Sequence, residues 1–139
     1  MKQIQNISEC FLYRKNCVGS IGLVPTMGAL HKGHFALIQE SLNVCNNTIV
    51  SIFVNPKQFG KNEDLQSYPK TIERDLEKLK LLGVDCVFLP SELEMYSEDH
   101  SLYVTETLLS KWLEGKSRPQ FFSGVTTVVA KLFNLFQPT

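Results

Sequence analysis

The chain has 139 residues with 14 basic and 14 acidic side chains, a balance that leaves no electrostatic footprint for nucleic acid or an anionic membrane surface. That length is one domain's worth, enough for a real core but small for a complete two-substrate enzyme, and the 43% hydrophobic share is that of an ordinary globular protein. No apolar stretch approaches the ~20 residues that cross a bilayer. The polar start, Met1 to Asn6, lacks the core of a signal peptide, and the scattered Cys10, Cys17, Cys45 and Cys86 fit reduced thiols. A soluble cytoplasmic protein is expected.

Residues 12–18 read as a polar lead-in without a period. The apolar run Ile21–Val24 predicts a first buried strand, which passes directly into Pro25-Thr26-Met27-Gly28-Ala29-Leu30-His31-Lys32-Gly33-His34. A glycine-punctuated turn with two histidines at i, i+3 then opens a helix, since Phe35, Leu37, Ile38, Leu42 and Cys45 share one broad face. This layout suits the phosphates of a nucleotide. Backbone N–H groups at a helix start are unpaired, and the helix dipole adds positive character there. Gly28 and Gly33 permit tight turning and close approach, and two imidazoles can donate hydrogen bonds to phosphate. A metal site is disfavoured, because His100 is the only other histidine and the cysteines form no close pair.

The β-branched run 48–54 predicts a central strand, and residues 55–67 a long polar loop of the kind that often carries function. A helix is expected from about Pro69, with Ile72, Leu76 and Leu79 inward and Gly83 as its stop, followed by a third strand over 84–89 that Pro90 ends. Alternation of strand and helix at this spacing predicts a right-handed parallel sheet, whose ligands sit beyond the carboxyl ends of the strands. The turns after Val24 and Val54 would therefore face one crevice. Further on, Leu102–Thr105 suggests a short strand, Leu108 to Leu113 a short amphipathic helix ended by Gly115, and Val125–Phe136 a final helix with a wide apolar face.

Asn55 and Gln58 can each donate and accept hydrogen bonds, which suits a hydroxy-acid substrate. Equally, Asn55-Pro56 could merely turn the chain while Phe59 packs as a lid. The residues alone leave both readings open.

The block Pro25 to His34, then Ser51-Ile52-Phe53-Val54-Asn55-Pro56-Lys57-Gln58-Phe59, Tyr68-Pro69, Leu113 to Pro119 and Gly124 to Asn134 closely resemble the pantothenate synthetase family, in order and over nearly the whole chain. The resemblance implies an α/β fold, a Rossmann-like parallel sheet with flanking helices of the nucleotidyltransferase class with a His-x-Gly-His signature. It implies ATP-dependent joining of pantoate to β-alanine through a pantoyl adenylate, releasing AMP and pyrophosphate, with Mg²⁺ carried on the nucleotide rather than by protein side chains. By the same resemblance Met27, Gly28, Ala29, Leu30, His31, Lys32, Gly33 and His34 bind ATP, with His34 a catalytic acid. Gln58 contacts pantoate near the β-alanine site, with Asn55, Pro25 and Thr26 also assigned to substrate. A homodimer is implied as well.

Two departures stand out. The family continues Gly-His-Phe where this chain has Gln120-Phe121-Phe122, so a histidine is missing. Members are also about twice this long, and their later lysine-, aspartate- and glutamine-bearing segment and Ser-Ser-Arg-Asn loop have no counterpart. The expectation is a single nucleotide-binding domain over 1–139, the amino-terminal part of a longer enzyme, with a sheet incomplete at its C-terminal side. Rival readings are another nucleotidylyltransferase of the same fold, or a noncatalytic nucleotide-binding or dimerisation module. A tRNA-ligase role is disfavoured by the neutral charge.

Overall fold

The computed structural model describes residues 1–60, 71–112 and 114–139. The expected helix start at Pro69, the Tyr68-Pro69 block, the loop beyond Gly60 and Leu113 lie outside the described residues. Four strands, β1 (Lys2–Ile4), β2 (Ile21–Thr26), β3 (Asn47–Ile52) and β4 (Cys86–Phe88), form a wholly parallel sheet in the order β1-β4-β3-β2. The helices are α1 (Ile7–Asn16), α2 (Lys32–Val44), α3 (Ile72–Leu82), α4 (Glu92–Met95), α5 (Glu114–Ser117) and α6 (Phe121–Phe136).

Side chains alternate across each strand, so both faces are covered. Ile21, Ile49, Cys86 and Phe88 point to one core with Cys10, Val128, Leu132 and Phe136 from α1 and α6. Val24, Val50, Ile52 and Val87 point to the other, with Ile38 from α2 and Leu79 from α3. Thr48, on the second face, satisfies its hydroxyl against Ser41 of α2 at 2.8 Å. This is the predicted Rossmann-like arrangement. β2 ends the row of strands, and on its outer side Thr139 exchanges two hydrogen bonds with Ile21, of 3.0 and 3.1 Å. Pro25 is tolerated within β2 because an edge strand leaves one side unladdered.

Several elements differ from expectation. Residues 12–16 of the expected polar lead-in belong to a ten-residue helix, α1, which starts at Ile7, and β1 precedes it. No apolar stripe marks α1, since it buries only Cys10 and leaves Phe11 and Leu12 more than half exposed. Its signal is instead a cap: the Asn6 side chain accepts from the Glu9 N–H at 2.9 Å. Leu102–Thr105 is not a strand. Its backbone bonds to side chains of α6, with Val104 N–H donating to Thr127 Oγ1 and its carbonyl accepting from Thr126 Oγ1. The expected amphipathic helix over 108–113 is a 3-10 turn at Leu109–Lys111 followed by α5, which contains Gly115 instead of stopping at it. Leu108, Leu109 and Trp112 are exposed, so no buried face organises that helix. The last helix begins a turn earlier than expected, at Phe121.

Replacing Asn6 by alanine removes the cap that starts α1, and a stability loss of about 1 kcal/mol is expected. A urea midpoint unchanged from the parent protein would contradict this origin of the helix.

Candidate functional site

β2 and β3 end side by side, and the turns that follow them are tied together. Thr26 Oγ1 donates to the Ser51 carbonyl at 2.8 Å and accepts from Gly28 N–H at 3.2 Å. Within this turn Gly28 at φ +86° and Ala29 at φ +52° take left-handed conformations. At Gly28 a side chain would be strained by that angle, and its first carbon would sit 3.2 Å from Ile52 Cγ2. Leu30 N–H, carried inward by the turn, donates to Asp75 Oδ1 at 3.1 Å, and Thr71 Oγ1 donates to Asp75 Oδ2 at 2.9 Å. Asp75 is therefore a buried carboxylate in the first turn of α3 that holds the loop from below. Sequence reasoning missed this. On the sequence it is one more acidic residue near a helix start, where solvent-facing acids are common.

The two histidines close the start of α2 reciprocally. His31 Nδ1 accepts from Gly33 N–H at 3.1 Å, and His34 Nδ1 accepts from His31 N–H at 3.3 Å. Their rings lie 4.0 Å apart between centroids. Because a backbone N–H can only donate, each Nδ1 is an acceptor, and the proton of the neutral ring sits on Nε2. Burial, with the neighbouring His31 adding to it and Asp75 opposing, lowers the His34 pKa below the usual histidine value. His34 thus presents a neutral imidazole with Nε2–H as its remaining donor.

After β3 the chain enters a 3-10 turn at Pro56–Gln58, organised by Asn55, which is 1% exposed. Asn55 Oδ1 accepts from Lys57 N–H at 3.2 Å and from the Tyr96 hydroxyl at 2.9 Å. Its Nδ2 donates to the Gly124 carbonyl at 3.0 Å and to Gln58 Oε1 at 2.8 Å. Lys57 N–H can only donate and the Gly124 carbonyl can only accept, so the amide orientation of Asn55 is fixed. Gln58 must then offer its oxygen to Asn55 and keep Nε2 as a free donor. Burial pushes the Tyr96 phenol up to about 12, so it stays a donor. Arg118 Nη2 donates to the Gln58 carbonyl at 2.9 Å, holding the same turn from the α5 side. Phe121, standing where the family resemblance places a histidine, lies against that guanidinium at 4.3 Å.

His34 and Gln58 line one cavity of about 260 Å³ at the carboxyl end of the sheet. Pro25, Thr26, Met27, Ser51 and Phe53 complete its sheet side, and Val125, Val128, Val129 and Leu132 of α6 form an apolar wall. The other candidates sit elsewhere. His31, Lys32 and Gly33 are exposed at the start of α2, and Leu30 packs its side chain into the core. Met27 and Gly28 also border a second cavity of about 240 Å³ with Asp75, while Ala29 borders neither. Asn55 lies under the floor with all four of its hydrogen-bonding positions taken. Among the described residues, no group of three or more histidine, cysteine or acidic side chains could hold a metal.

The sequence model of the family described as Pantoate-beta-alanine ligase matches residues 1–139. The chain belongs to this family. The pantothenate synthetase of Thermotoga petrophila is 55% identical over 138 residues, 99% of this chain and 48% of the relative. That of Fervidobacterium nodosum is 49% identical over 142 residues, all of this chain and 51% of the relative. A crystal structure of the pantoate-beta-alanine ligase from Francisella tularensis, complexed with beta-gamma ATP and beta-alanine, superposes with a TM-score of 0.94 at 42% identity, over 99% of this chain and 54% of that one. The chain spans about half the length of the curated relatives it matches.

Two outcomes follow from this geometry. A methyl group at Gly124 would meet the Lys57 carbonyl oxygen at 2.3 Å and Gln58 N at 2.9 Å. Alanine is worth up to about 1 kcal/mol more than glycine inside a helix, but these neighbours are backbone and cannot step aside. Gly124→Ala is expected to lower stability by about 1–3 kcal/mol, as overpacking does; a raised urea midpoint would contradict the contact. Second, a proton on His34 Nδ1 would expel the His31 N–H. The folded pKa is lowered, so protonation favours the unfolded state, and the stability cost appears as pH falls below the ordinary value of about 6.5. The His31 amide resonance should shift with a midpoint below that value, and a midpoint above it would refute the arrangement.

Proposed function

We propose that this chain carries the nucleotide- and pantoate-binding part of a pantoate–β-alanine ligase, with residues 1–139 acting as one nucleotide-binding domain. The reaction is the ATP-dependent condensation of (R)-pantoate with β-alanine to pantothenate. The pantoate carboxylate attacks the α-phosphate of ATP, pyrophosphate leaves, and the β-alanine amine opens the pantoyl adenylate, releasing AMP. The single observation that carries this reading is the cavity shared by His34 and Gln58 beneath the apolar wall of α6. A branched hydroxy acid fits such a lining, methyl groups against valines and leucine, polar groups toward Gln58 and the sheet end.

In this reading Met27 to His34 cradle the ATP phosphates at the start of α2, where helix dipole and first-turn amides favour an anion. His34 Nε2–H stabilises charge that builds on the phosphates as pyrophosphate departs. Gln58 Nε2 binds pantoate, Pro25 and Thr26 border it, and Asn55 contributes by orienting Gln58. Mg²⁺, carried on the nucleotide, would supply charge neutralisation at the triphosphate. A cytoplasmic homodimer belongs to the same proposal. Exposed Leu108, Leu109 and Trp112 support a face that another copy covers, and four free cysteines support a reducing compartment.

ATP–pyrophosphate exchange that depends on pantoate is the decisive assay. His34→Ala is expected to lower the exchange rate about 10²–10³-fold, as loss of one transition-state donor does, with the fold retained. Exchange at the parent rate would remove His34 from the chemistry. Clear ATP binding without exchange in the parent chain would favour a noncatalytic nucleotide-binding module, the reading that the half-length match to the relatives keeps in play.

A further inference from the structure

Ser51 is 1% exposed, yet its Oγ has no hydrogen-bond partner among the described residues. Buried hydroxyls are normally paired, and the same strand does so elsewhere, since Thr48 bonds Ser41 on the opposite face. Ser51 lies on the α6 side of β3, between Ile49 and Phe53, and borders the cavity that holds His34 and Gln58. Its own backbone is fully engaged, with the carbonyl accepting from Thr26. The structure therefore keeps an uncompensated hydroxyl in an otherwise apolar stretch of strand, at the edge of the site. Leaving such a group unpaired is costly in the free protein and pays only when something bonds it.

We infer that Ser51 is a specificity residue whose Oγ hydrogen-bonds a hydroxyl group of the bound hydroxy acid; this rests on the pantoate reading of the cavity. A carboxylate is the wrong partner. Among the described lining residues there is no lysine or arginine, and a carboxylate seated against Val128 and Leu132 would be a buried charge without a counterion. A neutral hydroxyl has no such penalty and can both donate to and accept from Ser51. The acid is thus oriented with a hydroxyl toward the strand and its carboxylate toward His34 and the start of α2, where attack on a phosphate requires it.

The test is calorimetric titration of the parent chain and S51A with pantoate, with its two deoxy analogues (each lacking one hydroxyl), and with ATP, alongside thermal melts without ligand. S51A should bind pantoate about tenfold more weakly, the worth of one hydrogen bond. It should lose the same factor for one deoxy acid and nothing for the other, with ATP affinity unchanged. Its ligand-free melting midpoint should hold or rise, because the orphaned hydroxyl is gone; a serine with a structural role would make S51A melt lower. Unchanged binding of all three acids, or equal weakening of all three, overturns the inference. Q58A separates this from failure of the site itself. If Q58A weakens pantoate binding while S51A does not, the cavity stands and the Ser51 role falls. A parent chain that binds no pantoate, or a Q58A that binds it normally, brings down both.

Discussion

Asn55 is the constraint on which the site depends. A buried amide with two donors and two acceptor positions, it spends each on a different group: the turn at Lys57, the phenol of Tyr96, the carbonyl of Gly124 and the side chain of Gln58. Strand end, turn, the segment after β4 and α6 are thereby referred to one point. The arrangement is all or nothing, since each partner left unsatisfied by a change at Asn55 is a buried polar group costing about 1–3 kcal/mol. It also decides chemistry at a distance. With Nδ2 committed, Gln58 can only turn its oxygen inward, and its amino group becomes the cavity's donor.

The loop after β2 is built on the same logic with different parts. Its left-handed pair, Gly28 and Ala29, turns Leu30 N–H inward, where water cannot reach it, and Asp75 supplies the acceptor. The histidines then satisfy two amides that a helix start would otherwise leave open, and in doing so fix their own tautomers. Capping and chemistry are not alternatives here. Occupying Nδ1 is what places the neutral ring's proton on Nε2, and partial burial, with His31 beside it, disfavours the charged form that would cost Nδ1 its acceptor role.

What could be read in advance follows from what each element depends on. β2, α2, β3 and the stop of α3 at Gly83 announce themselves through apolar periodicity and turn residues, and they appear within a residue or two of expectation. α1 escaped because a single cap, not a stripe, defines it. Leu102–Thr105 misled because its β-branched residues find side-chain hydroxyls of α6 in place of a strand. Among the candidate residues, His34 and Gln58 were legible as chemistry-bearing types at strand ends, and they share a cavity. Asp75 and Ser51 were not legible, because one resembles any helix-start acid and the other any small strand residue; only burial and partnering distinguish them.

Local order and residue chemistry are one-dimensional properties, so the chain by itself determined the alternation of strand and helix, the family and the two turns that matter. The nitrogen each histidine keeps is set locally, by the first amides of α2, whereas tertiary structure decided which way Gln58 faces and where Asn55 spends its remaining bonds. Those latter choices are made by the Gly124 carbonyl of α6 and the Tyr96 hydroxyl, which arrive from tens of residues away. A side chain's hydrogen-bonding capacity is written in its formula, but what remains of that capacity depends on which partners folding brings within reach.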